Sequence, residues 1–474
     1  MFTKKWLLRL GLGFLGLIVL GMVAVYAEWT ITRNRGQELL DKEIAKVDAE
    51  DPDWRVEDLC SKRNAALPPP EKNSSPCVMQ AYELIPKDYF KWKRDELKAS
   101  TDTVGVLADE DELRIATERY KDAYQAILVA RTSRQFPHGG FPLTFKEPDL
   151  LSTPLKSLDS TRQIASLLDH DAFILVHRGE TDEAVRTLHA MVHVSRAVGD
   201  EPSAISQLVR IASIVIACRA TQRTLGLCEP KVGLGALQVA FAEELNVPRL
   251  TYGFRGERAV FHRILENIDD GSYDANAPTK GGLESRIEIL PLRRTIPKQQ
   301  AVMLDYFGQL LAAEKLTGVK RISAFAAIQP PATDGKYDMS LVRLLLIATD
   351  KVVGAENRAR AVIGSTIVAL ACERFHHTNG RFPTSIAEIP TSLLPNVPDD
   401  PFNAKPLNFK TLDDGIVIYS VGADLVDDGG TNLDLTAKVG GDVGFKLLLP
   451  EKRRQPAPPR MKPIDDEPEN PGVP

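Results

Sequence analysis

Leu10 to Ala27 is an uncharged run of 18 residues at the head of the chain, preceded by Lys4, Lys5 and Arg9. No other feature restricts the fold as much. Eighteen helical residues span about 27 Å, close to the roughly 30 Å hydrocarbon thickness of a bilayer. Trp6 on one side, with Tyr26 and Trp29 on the other, stand where aromatic belts form. The run predicts one transmembrane helix over 10–27 behind a basic leader, 1–9. The leading bases place the N-terminus in the cytoplasm and the bulk of the chain outside, although Arg33 and Arg35 lessen the asymmetry. A cleavable signal is the rival reading, because Val25-Tyr26-Ala27 puts small residues at the −3 and −1 positions.

The rest of the chain has ordinary globular composition. With 474 residues, 43% hydrophobic and 26% charged, it is long enough for several domains and is neither disordered nor a multi-span membrane protein. A net charge of −5 leaves no electrostatic footprint for nucleic acid. Five cysteines exclude a disulfide scaffold. Cys60 and Cys77 flank a stiff, proline-rich linker at 65–76. In an oxidising envelope they would bridge across it, with two separate thiols as the equal alternative.

After a polar helical stretch, Thr30 to Ala49, the chain breaks at Asp51-Pro52-Asp53, so 28–75 reads as helix and linker. A large antiparallel helical domain is expected over 76–352. Between Asp159 and Leu225, three helices are punctuated by Gly179 and Gly199, and Asp200-Glu201-Pro202 opens the third. Apolar residues recur at three- and four-residue spacings: Ile164, Leu167, Leu168; Leu188, Met191, Val192; Leu208, Ile211, Val215. The stretch Gly179 to Val185 resembles the inter-helix turn of tetratricopeptide-type repeats, which would imply a concave partner-binding face, although no clean 34-residue period accompanies it.

No nucleophile elbow, phosphate loop or dinucleotide fingerprint is present. His138-Gly139-Gly140 looks like half an oxyanion loop but, between Pro137 and Pro142, reads better as a turn. His170, His177, His189 and His193 fall within one expected helical hairpin, and His189 and His193 share a face at a spacing that suits two imidazoles on one ion. Boundary-face histidines are the simpler reading.

A helix over Ala359 to Phe375 stops at Asn379-Gly380. Then come Gly380-Arg381-Phe382-Pro383, Asp400-Pro401-Phe402, two short strands (Leu407 to Lys410 and Ile416 to Tyr419) around Asp413-Asp414-Gly415, and Ser420-Val421-Gly422-Ala423-Asp424 followed by Asp427-Asp428-Gly429-Gly430. Residues 399–434 carry a net charge of −6. This string resembles the calcium-binding globular domain of type II secretion pseudopilins over about 355–435. The resemblance implies a small α+β module, placed at 353–449, whose loop holds calcium through Asp424, Asp427, Asp428, Asn432 and Asp434. Charge relief by a cation agrees with it, and a solvated acidic turn is the plain alternative. The tail, 450–474, contains eight prolines and is expected to be disordered.

The expectation is thus a mainly α protein anchored in a membrane, a non-enzymatic scaffold whose partners are other envelope proteins. A divergent component of a secretion or pilus-like apparatus and an envelope metalloenzyme built on the histidine hairpin are the alternatives.

Overall fold

The computed structural model describes residues 4–90, 104–272, 293–331, 339, 342–343, 346, 349–431, 433 and 440–457. The first helix, α1 (Lys4–Glu50), is unbroken over 47 residues. Leu12, Phe14, Leu17 and Val25 on it are each more than half exposed, whereas Leu40 and Val47 further along are buried. The expected transmembrane and polar segments are therefore one rod, bare at its start and packed at its end. It stops where expected, before Pro52, which lacks an amide proton and disfavours helix in the residue before it. Asp51 is then gripped by Arg255 (2.7 and 2.8 Å) and Arg258 (2.5 Å).

The helices that follow are α2 (Val56–Ala65), α3 (Ser75–Glu83), α4 (Glu110–Asp122), α5 (Tyr124–Arg131), α6 (Lys156–His177) and α7 (Thr181–Ser195). Then come α8 (Ala204–Leu227), α9 (Leu234–Leu245), α10 (Arg249–Asp270), α11 (Ile296–Glu314), α12 (Gly318–Ala327) and α13 (Thr349–Asn379). Gly179 ends the α6 region with φ +77°, a left-handed conformation that glycine adopts without strain. The third helix departs from expectation. It begins at Ala204, and Glu201 is folded inward to accept hydrogen bonds from Ser157 (2.8 Å) and Ser206 (2.5 Å). Its buried face runs through Arg210, Ile211, Ile214 and Cys218, with Leu208 and Val215 only half-buried.

Among the described residues there are two large hydrophobic cores and a small cluster of Leu175, Val176, Ala184 and Leu227. One large core gathers α1, α2, α10 and α11 around Trp54, Phe254, Leu304 and Phe307. The other joins α3–α9 to α13 and to a three-stranded antiparallel sheet of β1 (Asn408–Leu412), β2 (Gly415–Ser420) and β3 (Val443–Leu448). The line drawn between 352 and 353 falls inside α13. Every residue from Ala361 to Glu373 is buried, so this helix is surrounded rather than striped. β1 and β2 pair in register from Asn408↔Tyr419 to Leu412↔Gly415, and β3 pairs with β2 through Ile418↔Phe445. A Cβ at Gly415 would lie 2.1 Å from the Leu447 carbonyl oxygen, so that turn admits no side chain.

Of the two readings of Cys60 and Cys77, the structure has the separate thiols: the Cys77 Sγ lies 3.2 Å from the Val129 carbonyl and burial raises both thiols, Cys60 to about 11. The expectation of disorder from 450 is overturned. Pro450–Lys452 forms a turn, and Arg453 is buried with its guanidinium bidentate on Glu373 of α13 (2.9 and 2.8 Å). Residues 458–474 lie outside the described residues.

Ion pairs tie the helices together. Arg249 and Glu356 are both fully buried and bonded at 2.9 and 3.1 Å. Burial alone would raise Glu356, but Arg249 and Arg360 overcome it and hold the carboxyl at about 2. A depressed carboxylate stabilises the fold above its unfolded value near 4.5, and that stability is lost as pH falls toward 2. Glu356→Gln should therefore flatten the acid limb of thermal stability measured between pH 5 and pH 2. Arg249→Met, which leaves the buried Glu356 carboxylate with Arg360 as its remaining cation, should cost about 3 kcal/mol, and Arg249→Met with Glu356→Leu considerably less.

Candidate functional site

The acidic loop after β2 is built largely from carboxylates that hold its own backbone. Asp400 is fully buried and accepts from the Phe402 amide (2.9 Å), the Ser420 hydroxyl (2.8 Å) and the Val421 amide (3.0 Å). It locks the Asp-Pro-Phe turn to the end of β2. Asp424 accepts from the amides of Gly441 (3.0 Å) and Val426 (3.2 Å), which lower its pKa. Asp427 accepts from the Tyr419 hydroxyl and the Gly429 amide, both at 2.9 Å. Asp414, in the hairpin turn, pairs with Lys446 at 2.6 Å.

One carboxylate in this loop was not singled out from the sequence. Asp442 is fully buried and accepts from the Gly430 amide at 2.7 Å through Oδ2, while its Oδ1 has no hydrogen-bond partner. Its pKa is raised, first by burial and further by the charges of Asp427 and Asp428, against the pull of the Gly430 and Asp428 amides. A buried, unpartnered carboxylate oxygen facing two more acids is a costly arrangement that a cation would relieve. The only advance sign was the pair Gly440-Gly441 before it, an echo of Gly429-Gly430.

Of the expected calcium ligands, Asp424, Asp427 and Asp428 are described, and Asn432 and Asp434 lie outside the described residues. Asp427 and Asp428 come close enough to Asp442 to shift it, and Asp424 is fastened to the amide of Gly441, the residue before Asp442. Among the described residues these aspartates do not close into one group of ligand atoms.

The histidines of the α6–α7 hairpin are used separately. The Tyr89 hydroxyl meets His170 Nδ1. His177 accepts from the Ala108 amide at Nε2 (3.0 Å) and donates from Nδ1 to the Phe173 carbonyl (2.8 Å). His193 donates to the Phe136 carbonyl at 2.7 Å, and burial beside Arg196 lowers its pKa to about 4. His189 and His193 do share a face, with ring centroids 4.8 Å apart. The two aspartates near them are engaged elsewhere, Asp169 with Arg223 (2.6 Å) and Asp171 with Arg131 (2.6 Å). Among the described residues the four histidines form no common metal group. The His138-Gly139-Gly140 turn is likewise structural: the Gly140 amide donates to Ser75 Oγ at 2.8 Å, and a Cβ on Gly139 would meet the Arg196 carbonyl oxygen at 2.4 Å.

Comparison of the chain with family models, with curated proteins and with solved structures finds no match.

Asp400→Ala should lower stability by about 3 kcal/mol in urea melts, since three hydrogen bonds to a buried carboxylate are lost together. Asp413→Ala, at an exposed position of the same acidic segment, should stay within about 0.5 kcal/mol.

Proposed function

We propose that this chain is a membrane-anchored envelope protein, a non-enzymatic scaffold working through protein–protein contact, with its C-terminal loop stabilised by calcium. The observation that carries this reading is α1. Residues 11–27 of it are apolar and exposed, an arrangement that water penalises and a bilayer accepts. Its second half is built into the body through Arg33, which chelates Asp269 at 2.7 and 2.8 Å, and through Glu28 and Arg294 at 3.0 Å. Ala204–Leu227 is also long and apolar enough to span a membrane, but it lies within the core.

Calcium is supported by the chemistry of the loop: buried Asp442 Oδ1 and the neighbouring acids suit a hard ion that takes six to eight oxygens. The layout of α13 running into a small antiparallel sheet and an acidic Gly-Gly loop favours a second reading, a divergent component of a secretion or pilus-like apparatus.

The anchor is tested on membranes: the protein should resist carbonate extraction, retain residues 1–27, and carry an active periplasmic reporter when fused at its C-terminus. A mature N-terminus at Glu28 would make the segment a cleaved signal. For calcium, the full-length chain in detergent should melt higher in millimolar calcium than in chelator. At tenfold excess over Kd the gain would be about 1.4 kcal/mol. Asp442→Asn should erase that gain while melting no lower than wild type in chelator, because it removes the lone buried charge and keeps the oxygen that Gly430 needs. Identical melting with and without calcium would overturn the ion's role.

A further inference from the structure

Among the described residues, one group of three metal-ligating side chains does converge, and it lies far from both the acidic loop and the histidine hairpin in sequence: Glu373, His376 and His377, in the last two turns of α13. We propose that these three side chains bind a zinc-type divalent ion, with water completing the coordination.

The spacing is the first argument. Residues three and four positions after Glu373 return to its face of the helix, so one carboxylate and two imidazoles are presented together. Their ligand atoms all lie within 4.8 Å of one another. Two ligands on a tetrahedral zinc, each about 2.0–2.1 Å from it, are about 3.4 Å apart. Glu373 Oε1 and His377 Nε2 already stand at 3.6 Å, so this edge is formed and only the third ligand has to draw in.

Preorganisation is the second. Glu373 is fully buried and fixed by the bidentate Arg453 contact, which leaves each oxygen a further lone pair. His376 packs tilted against Phe382, with centroids 4.9 Å apart, and its Nδ1 is buried with no hydrogen-bond partner among the described residues. A buried ring nitrogen without a partner costs free energy that a metal bond would recover. His377 is the exposed member, so the ion has a way in and room for water. The helix C-terminus adds partial negative charge where the cation would sit.

Two imidazoles and one carboxylate select against calcium, which takes oxygen donors, and for zinc and its neighbours. Arg453 neutralises Glu373, so the two imidazoles carry most of the binding and affinity should be micromolar rather than nanomolar. The ion would brace the last two turns of α13 beside the Arg453 segment, whose continuation pairs with residues 105–107 through the Gln455 amide (2.8 Å) and the Leu107 amide (2.8 Å).

The test uses the untagged full-length chain in detergent, stripped of metal, titrated with zinc by calorimetry and with cobalt by visible absorption. One equivalent of zinc should bind. Cobalt should show the intense bands of a low-coordinate site, bleached by zinc and untouched by excess calcium. His376→Ala and His377→Ala should each weaken zinc at least tenfold without altering the circular dichroism spectrum in chelator, and His377→Cys should retain binding. His189→Ala should leave it unchanged. No saturable zinc on the folded wild type, binding that survives the double alanine variant, or loss on His189→Ala would each overturn the assignment.

Discussion

Glu244, Arg249 and Glu356 are buried charges that meet where α9, α10 and α13 cross, and the packing of the larger part of the molecule depends on their being satisfied together. Glu244 takes Arg196 and Arg210 (3.1 and 2.9 Å), and Arg249 joins it to Glu356. Glu356 passes the chain of contacts to Arg360, which reaches Glu314, which in turn holds Arg321. Every helix from α8 to α13 supplies at least one member. Desolvating so many charges roughly cancels their attraction, so the network adds little net stability. What it adds is selectivity: apolar faces tolerate a shift of one turn, whereas a displaced arginine would leave a bare carboxylate in the core. The offset face of α8 follows from this, since Arg210 must point inward.

Much of the local structure was legible in the sequence because its causes are local. Gly179 and Gly199 mark helix ends through the conformations they permit, Pro52 ends α1 through its missing amide proton, and Asp413-Asp414-Gly415 forces a tight hairpin. The features that escaped are long-range. Arg249 and Glu356 are 107 positions apart, and Arg453 and Glu373 are 80 apart. No periodicity links such partners. Arg453 sits in a proline-rich, charged stretch whose composition reads as disorder, and one bidentate contact in the core contradicts that reading. β3 was hidden for a similar reason, because its burial comes from packing against β2 and α13 and not from alternation of its own residues.

In the acidic segment composition locates the charge but not what each carboxylate does. Its net charge of −6 agreed with the cation that the pseudopilin resemblance implies. In the structure Asp400, Asp424 and Asp427 mostly hold amides and hydroxyls, the work that aspartates do in turns wherever they occur. The residue with an unused oxygen is Asp442, eight positions beyond the last expected ligand. Counting acids found the neighbourhood, and only three-dimensional burial separated the carboxylates that fasten the loop from the one left over.

The continuity of α1 has a mechanical consequence. A flexible tether would let the body tumble over the bilayer and present any face to it. Here the helix enters the body without a joint, and Gly36 lets it approach so closely that an added Cβ would lie 3.0 Å from the Lys298 backbone nitrogen. With the apolar half in a bilayer, about 35 Å of rod remains between Ala27 and Glu50. That length caps how far the body can stand off, and turning the span about its axis turns the body by the same angle. A body carried on such a rod would keep a fixed height above the bilayer and a fixed face outward.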